Sequence, residues 1–159
     1  MTKVIQDTDS DACTLAQKLL QSARHAALAV MIEPGQPMVT RIALAQDMDG
    51  APLSLISDLA THTRALREHA ACSLLIGEPG EKGDVLAHPR LTLVAKAQLI
   101  PRDHADHDKR AAQYLEHNPK AKLYLGLGDF KFVRFDVQSA LLNAGFGKAY
   151  HLTPADLAL

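Results

Sequence analysis

The sequence predicts a mainly β chain, a β-barrel with peripheral helices. Three observations point there. Short strand-like runs recur through the 159 residues, separated by turn chemistry such as Asp47-Met48-Asp49-Gly50. Two of these runs, Met38 to Gln46 and Leu91 to Ile100, alternate apolar and polar residues with the period of a half-buried strand. Only two or three segments carry helical periodicity, and no G-x-G-x-x-G follows a first strand, so a doubly wound α/β sheet fits poorly.

In chain order, Asp11 to Arg24 reads as a helix: Ala12, Leu15, Ala16, Leu19, Leu20 and Ala23 form one apolar stripe, with Ser10 or Asp9 as its cap. His25 to Glu33 (HAALAVMIE) is a continuous apolar run of buried-strand type, broken by Glu33-Pro34-Gly35-Gln36-Pro37. In Met38 to Gln46, the residues Met38, Thr40, Ile42 and Leu44 share one face, and Val39, Arg41, Ala43 and Ala45 the other. The Asp-Gly turn then predicts a hairpin returning through Pro52 to Ser57. That register places Arg41 opposite or beside Ser57-Asp58. His62 to Ala70 follows as a short helix and Ala71 to Ile76 as a strand. A polar loop from Gly77 leads to the strand Leu91 to Ile100. Pro101-Arg102-Asp103 starts a helix reaching about His117. Lys120 to Leu127 is a helical turn or two, Phe130 to Asn143 a strand, and Ala144-Gly145-Phe146-Gly147 its end.

Composition bounds the function. The length suits one domain, read here as residues 1–159 with a core of about 12–150. A net charge of −1 without a basic run argues against nucleic acid. Two separated cysteines, Cys13 and Cys72, make neither a disulfide framework nor a metal spacing, and a reducing, cytoplasmic setting is expected. No apolar run nears the roughly 20 residues a membrane span needs.

Arg41 offers a guanidinium fork for a ligand phosphate, or else an outer-face or interface arginine. Thr63 and Arg64 open the short helix, where free N–H groups favour an anion; a plain cap and solvated arginine is the alternative. Ser57 lies at the same expected corner. His62 could touch a ligand, pair with a carboxylate across an interface, or be a plain loop histidine. The run Asp103-His104-Ala105-Asp106-His107-Asp108 has two imidazoles at i, i+3, but no further ligand set is evident, so no metal site is assigned. Cys72 reads as a core thiol. Gly145-Phe146-Gly147-Lys148 suits a ligand lip, a dimer seam or a strand-ending bulge.

Taken together, Val39-Thr40-Arg41-Ile42-Ala43-Leu44, the run Ser54 to Leu66, Ser73-Leu74-Leu75-Ile76, His88-Pro89-Arg90-Leu91-Thr92-Leu93, Asp129-Phe130 and Gly145 to Ala149 resemble the pyridoxamine 5′-phosphate oxidase-like, FMN-binding split-barrel superfamily. The likeness is greatest to its haem-utilisation (HugZ-type) branch. The resemblance implies a six-stranded antiparallel split barrel and a homodimer with ligand at the interface. It implies an FMN-binding flavoprotein, an oxidoreductase of unspecified substrate. Arg41, Ile42 and Ala43 would lie along the FMN, Ser57 would meet its polar edge, and His62, Thr63 and Arg64 would hold its phosphate. The alternative it implies is a haem-binding or haem-degrading protein using the same cleft, with His151 as the haem ligand. No Trp is present and the chain ends in His-Leu-Thr-Pro-Ala-Asp-Leu-Ala-Leu, so vitamin B6 oxidation is not implied. No residue reads as a dedicated catalytic acid, base or nucleophile.

Overall fold

The computed structural model describes residues 4–159; residues 1–3, included in the single-domain reading, lie outside the described residues. A nine-stranded sheet dominates. The strands are β1 (Ile5–Gln6), β2 (His25–Glu33), β3 (Gln36–Ala43), β4 (Ala45–Gln46), β5 (Pro52–Ser57), β6 (Ala71–Ile76), β7 (Arg90–Ile100), β8 (Phe130–Asn143) and β9 (Ala149–Leu152). The helices are α1 (Ser10–Ser22), α2 (Thr61–Glu68), α3 (His107–His117) and α4 (Lys122–Leu125). Six strands have six residues or more, which matches the expected six-stranded frame. The other three are short additions, and β1 pairs with β9 in parallel, the one departure from antiparallel pairing among the described residues.

Antiparallel pairing runs β3-β2-β6-β7-β8-β9, and the first half of β8 also carries β5. The strand read as one piece from Met38 to Gln46 breaks at Leu44. There the Leu44 N–H donates to the Arg24 carbonyl at 2.9 Å, and the chain changes partner. Before the break β3 pairs with β2; after it, only Ala45–Leu53 and Gln46–Pro52 join β4 to β5. The barrel is therefore split along this seam.

This corrects the expected hairpin. The turn is real, with the Gly50 N–H on the Asp47 carbonyl and Gly50 at φ +90°. Its ladder ends after two pairs, however. Arg41 is registered to Ala27 on β2, and Ser57 to Phe130 on β8. Alternation still sorts the faces as read: Ile42 and Leu44 are buried inside, Val39 and Arg41 exposed outside. The helix expected from Pro101 begins only at His107. Residues 101–106 form successive turns, and the Arg102 guanidinium is committed to the carbonyls of Leu125, Leu127 and Phe130.

The main core fills the barrel with Leu28, Leu74, Leu91, Leu93, Phe135 and Leu142, each fully buried and each contributing about 2 kcal/mol. α1 lays Ala12, Ala16 and Leu20 on this core, and its first turn is capped by Asp9 Oδ1 on the Ala12 N–H at 2.7 Å. α2 adds Ala65 and Leu66. A second core lies between α3 and the sheet, where Tyr114 meets Phe132 edge-on at 5.4 Å beside Leu53, Leu55 and Ile100. Among the described residues, no helix is long and apolar enough to cross a membrane.

Candidate functional site

The helices cover the sheet unevenly. Outward residues of β3, β2, β6, β7, β8 and β9 form rows that run across the sheet from strand to strand. One row reads Arg41, Ala27, Leu75, Thr92, Leu141, His151, each registered to the next. The neighbouring row reads Val39, Ala29, Ser73, Val94, Ser139. Because period-2 alternation sends the large aliphatic residues inward, small ones remain outside on β2. Val39 (67% exposed), Leu75 (45%) and Val94 (47%) stand around them. Two shallow troughs result. One of ≈220 Å³ is lined by Ala27, Ala29, Val39, Ser73, Leu75 and Thr92 among others. The other, ≈280 Å³, reaches Met31, Pro37 and Val94. Contiguous exposed apolar surface is characteristic of binding or pairing faces, which makes this the candidate site.

Cys72 opens onto the second trough, but its Sγ–H points to the Ala95 carbonyl at 3.6 Å, and burial pushes the thiol up to about 11. It stays protonated and acts as core, as expected.

Polar groups ring this face. Arg41 and His151 stand at the ends of the first row. His151 is exposed, and its backbone carbonyl accepts from Thr8 Oγ1 at 2.7 Å. His25, also on β2's outward side, bonds Glu78 through Nε2 at 2.8 Å. That hydrogen bond first, and then the charge of His25, hold the Glu78 carboxyl below its ordinary range; desolvation opposes them, and Arg41 adds a smaller lowering effect.

The corner expected to hold a phosphate is built differently. Ser57 Oγ donates to Asp129 Oδ2 at 2.6 Å and accepts from the Leu59 N–H at 3.1 Å. Thr63, fully buried, donates to the Ser57 carbonyl at 2.6 Å. Both hydroxyl protons are thus used in holding the β5–α2 connection. Asp58 binds Arg67 (2.7 Å) and Lys131 (2.9 Å) beside it. α2 opens without a side-chain cap, leaving the Thr61 and His62 N–H groups free of intrahelical partners. Burial lowers the His62 pKa, so its half-buried imidazole is neutral at neutral pH. Arg64 lines a ≈350 Å³ cavity with Thr61 and Ile32, but Glu33 and Glu68 line it too. Neither Arg41 nor Ser57 borders that cavity. Ile42 points into the core, and Ala43 lies outside opposite His25. The structure thus brings Ser57, His62, Thr63 and Arg64 to one connection and puts Arg41 on the open sheet face.

One charged cluster escaped the sequence reading. Asp47, in the β4–β5 turn, is buried with Arg110 of α3 in a bidentate pair at 2.9 and 3.3 Å. Arg134 of β8 joins it, reaching Asp47, Asp49 and Asp136. Burial raises the Asp47 pKa, yet the hydrogen bonds from Arg110, the Met48 N–H and Arg134 outweigh it and leave the carboxyl lowered. The sequence signal was only a turn aspartate; its partners lie 63 and 87 residues away. Among the described residues no three His, Cys, Asp or Glu side chains converge as a metal cage.

Comparison with known proteins agrees with this architecture. Residues 15–143 match the family model described as pyridoxamine 5′-phosphate oxidase. The heme oxygenase HutZ of Vibrio cholerae is 30% identical over 139 residues, covering 86% of this chain and 78% of its own. A chloroplastic heme oxygenase, HOZ, of Arabidopsis thaliana is 33% identical over 118 residues, 73% of this chain but 34% of the plant protein. A heme binding protein from Mycobacterium smegmatis superposes with a TM-score of 0.81 at 27% identity, covering 92% of this chain and 60% of that one. The chain thus spans about a third of the plant relative's length and most of HutZ's. By sequence and by fold, the chain belongs to the pyridoxamine 5′-phosphate oxidase family, among its HutZ-type relatives.

Proposed function

We propose that this chain binds haem on the open sheet face and acts in haem degradation. One observation carries the reading: a continuous, uncovered face of small and apolar side chains, ringed by arginine and histidine. A porphyrin is flat, apolar across its ring and anionic at its carboxylate arms. Leu75, Thr92 and Val94 offer the apolar bed, and Arg41 a guanidinium for a carboxylate. Relatives named for heme oxygenase activity or heme binding support the reading. When bound, haem would supply the iron and the redox chemistry; the residues of this chain would bind, orient and shield it.

The face also suits a second copy of the chain. The row from Arg41 to His151 spans five strand spacings, about 24 Å along the sheet. That is longer than a porphyrin with its arms. Lying flat beside Arg41, a single haem covers only part of that row. An isologous pairing about the middle of the row brings His151 of one protomer toward Arg41 of its partner. In that homodimer, the ligand would lie at the seam, where His151 would be placed to hold its iron.

FMN is the second reading, favoured by the free N–H groups at the start of α2 and by Arg64. Weighing against it, the Ser57 and Thr63 hydroxyl protons are spent internally, and Glu33 and Glu68 repel a phosphate in the cavity that Arg64 lines. Parallel titrations with hemin and FMN separate the two. A saturable Soret band without quenching of flavin fluorescence is the expected result, followed by loss of the Soret band on adding ascorbate in air. FMN uptake with no hemin binding overturns the reading.

A further inference from the structure

The His25–Glu78 contact lies outside every role assigned so far. His25 and Arg41 are on adjacent strands, β2 and β3. His25 is registered to Ala43 and Arg41 to Ala27, so their side chains are diagonal neighbours on the outward face. Glu78 enters from the end of β6, and its Oε1 sits 2.8 Å from His25 Nε2. Arg41 forms no hydrogen bond or ion pair of its own among the described residues, and Glu78 is a carboxylate on which its charge acts. The placement of Glu78 is built into the backbone. Gly77 has φ +102°, and a Cβ there would lie 2.7 Å from the Pro89 carbonyl oxygen, so only glycine turns the chain back over this rim.

We propose that His25 and Arg41 form one anion-binding rim whose resident counter-charge is Glu78, and that an anionic arm of the ligand takes the place of Glu78. This rests on the haem reading above, and the shared chemistry is that of a carboxylate or phosphate oxygen. The exchange is an easy one. The Glu78 side chain is 67% exposed and that of His25 41%, and an ion pair so open to water contributes little to the fold. The incoming anion brings an apolar body that lies down on Leu75 and Thr92, which Glu78 lacks. Glu78 therefore holds His25 in place beside Arg41 while the face is free and competes with weak anions. The device sets a threshold: only an anion with an apolar body gains enough from the face to displace it.

The test uses the full chain, with Glu78→Gln and, as a control from the same loop, Glu81→Gln. Binding is measured for hemin, hemin dimethyl ester, FMN and riboflavin. Glu78→Gln is expected to bind hemin about threefold tighter, the size of one exposed ion pair. The ester is expected to be unchanged, Glu81→Gln to match the parent, and the gain to vanish in Glu78→Gln/Arg41→Ala. Equal or weaker hemin binding by Glu78→Gln, or an equal gain for the ester, overturns the rim while leaving the haem reading intact. If the parent takes FMN and not hemin, the haem reading falls, and a gain for FMN without one for riboflavin still supports the rim. Failure to bind any of the four overturns both.

Discussion

Arg41 and His151 stand at opposite ends of one cross-strand row, on the same face of the sheet and five registered steps apart. Between them lie only Ala27, Leu75, Thr92 and Leu141. The row explains why residues 110 positions apart in sequence belong to one surface. It also explains why they do not meet within one chain.

If this face pairs two copies, charge placed in its middle separates them. Leu75→Glu and Val94→Glu each put a carboxylate on the exposed side of a strand, where the fold should change by no more than about 0.5 kcal/mol. Light scattering after size exclusion is expected to show a dimer for the parent and a monomer for either variant, with matching circular dichroism. A parent that is monomeric at all concentrations contradicts the pairing.

The Asp47–Arg110 pair should be the most costly to break. Its side chains are 3% and 8% exposed, and removing one partner leaves the other charge buried. Asp47→Ala is expected to lose about 3–5 kcal/mol in urea denaturation. The pH dependence has a definite sign. The folded pKa of Asp47 is depressed, so its contribution is present above the ordinary carboxylate value of about 3.9 and lost as pH falls through the lower folded value. Acid unfolding of Asp47→Asn should be shallower than that of the parent over this range.

His62 acts in a different window. Burial lowers its folded pKa, so the unfolded chain takes up the proton first. Stability attributable to this group is therefore complete above about 6.5 and falls as pH drops from there toward the folded value. Urea midpoints between pH 7.5 and 5 should decline less in His62→Gln than in the parent. Equal slopes would place the acid sensitivity elsewhere.

Ser57 and Thr63 separate a scaffold from a ligand site. Each hydroxyl ties the β5–α2 connection, so Ser57→Ala and Thr63→Val should each cost about 1 kcal/mol of stability. Hemin affinity should remain within twofold, about 0.4 kcal/mol. A large loss of ligand affinity with unchanged stability would return these residues to the site.

Much of the fold was legible because local signals and tertiary structure agree. Asp9 caps α1, HAALAVMIE forms β2 from His25 to Glu33, and the alternation around Arg41 sorts the faces correctly. The strand at Ala149–Leu152 was not read, since four residues after a glycine turn carry too short a pattern. The error over Arg41 has a clear physical origin. The Asp-Gly turn correctly announced a hairpin, but the length of its ladder is decided by Leu44, whose N–H goes to Arg24 instead. A one-partner hairpin and a strand that changes partner look alike in sequence. For the same reason the candidate face was only partly legible. Arg41 and His151 were singled out, but the row joining them depends on the registers of six strands, and Glu78 and Asp47 acquire their roles only from side chains far along the chain.

The most direct measurement is a hemin titration of the parent and Leu75→Glu in parallel, followed by the Soret band. The expected result is saturable binding by the parent, greatly weakened by the charge placed at the centre of the row. Hemin binding of equal strength in both proteins, or none in the parent, would contradict the assignment of the open sheet face as the haem site.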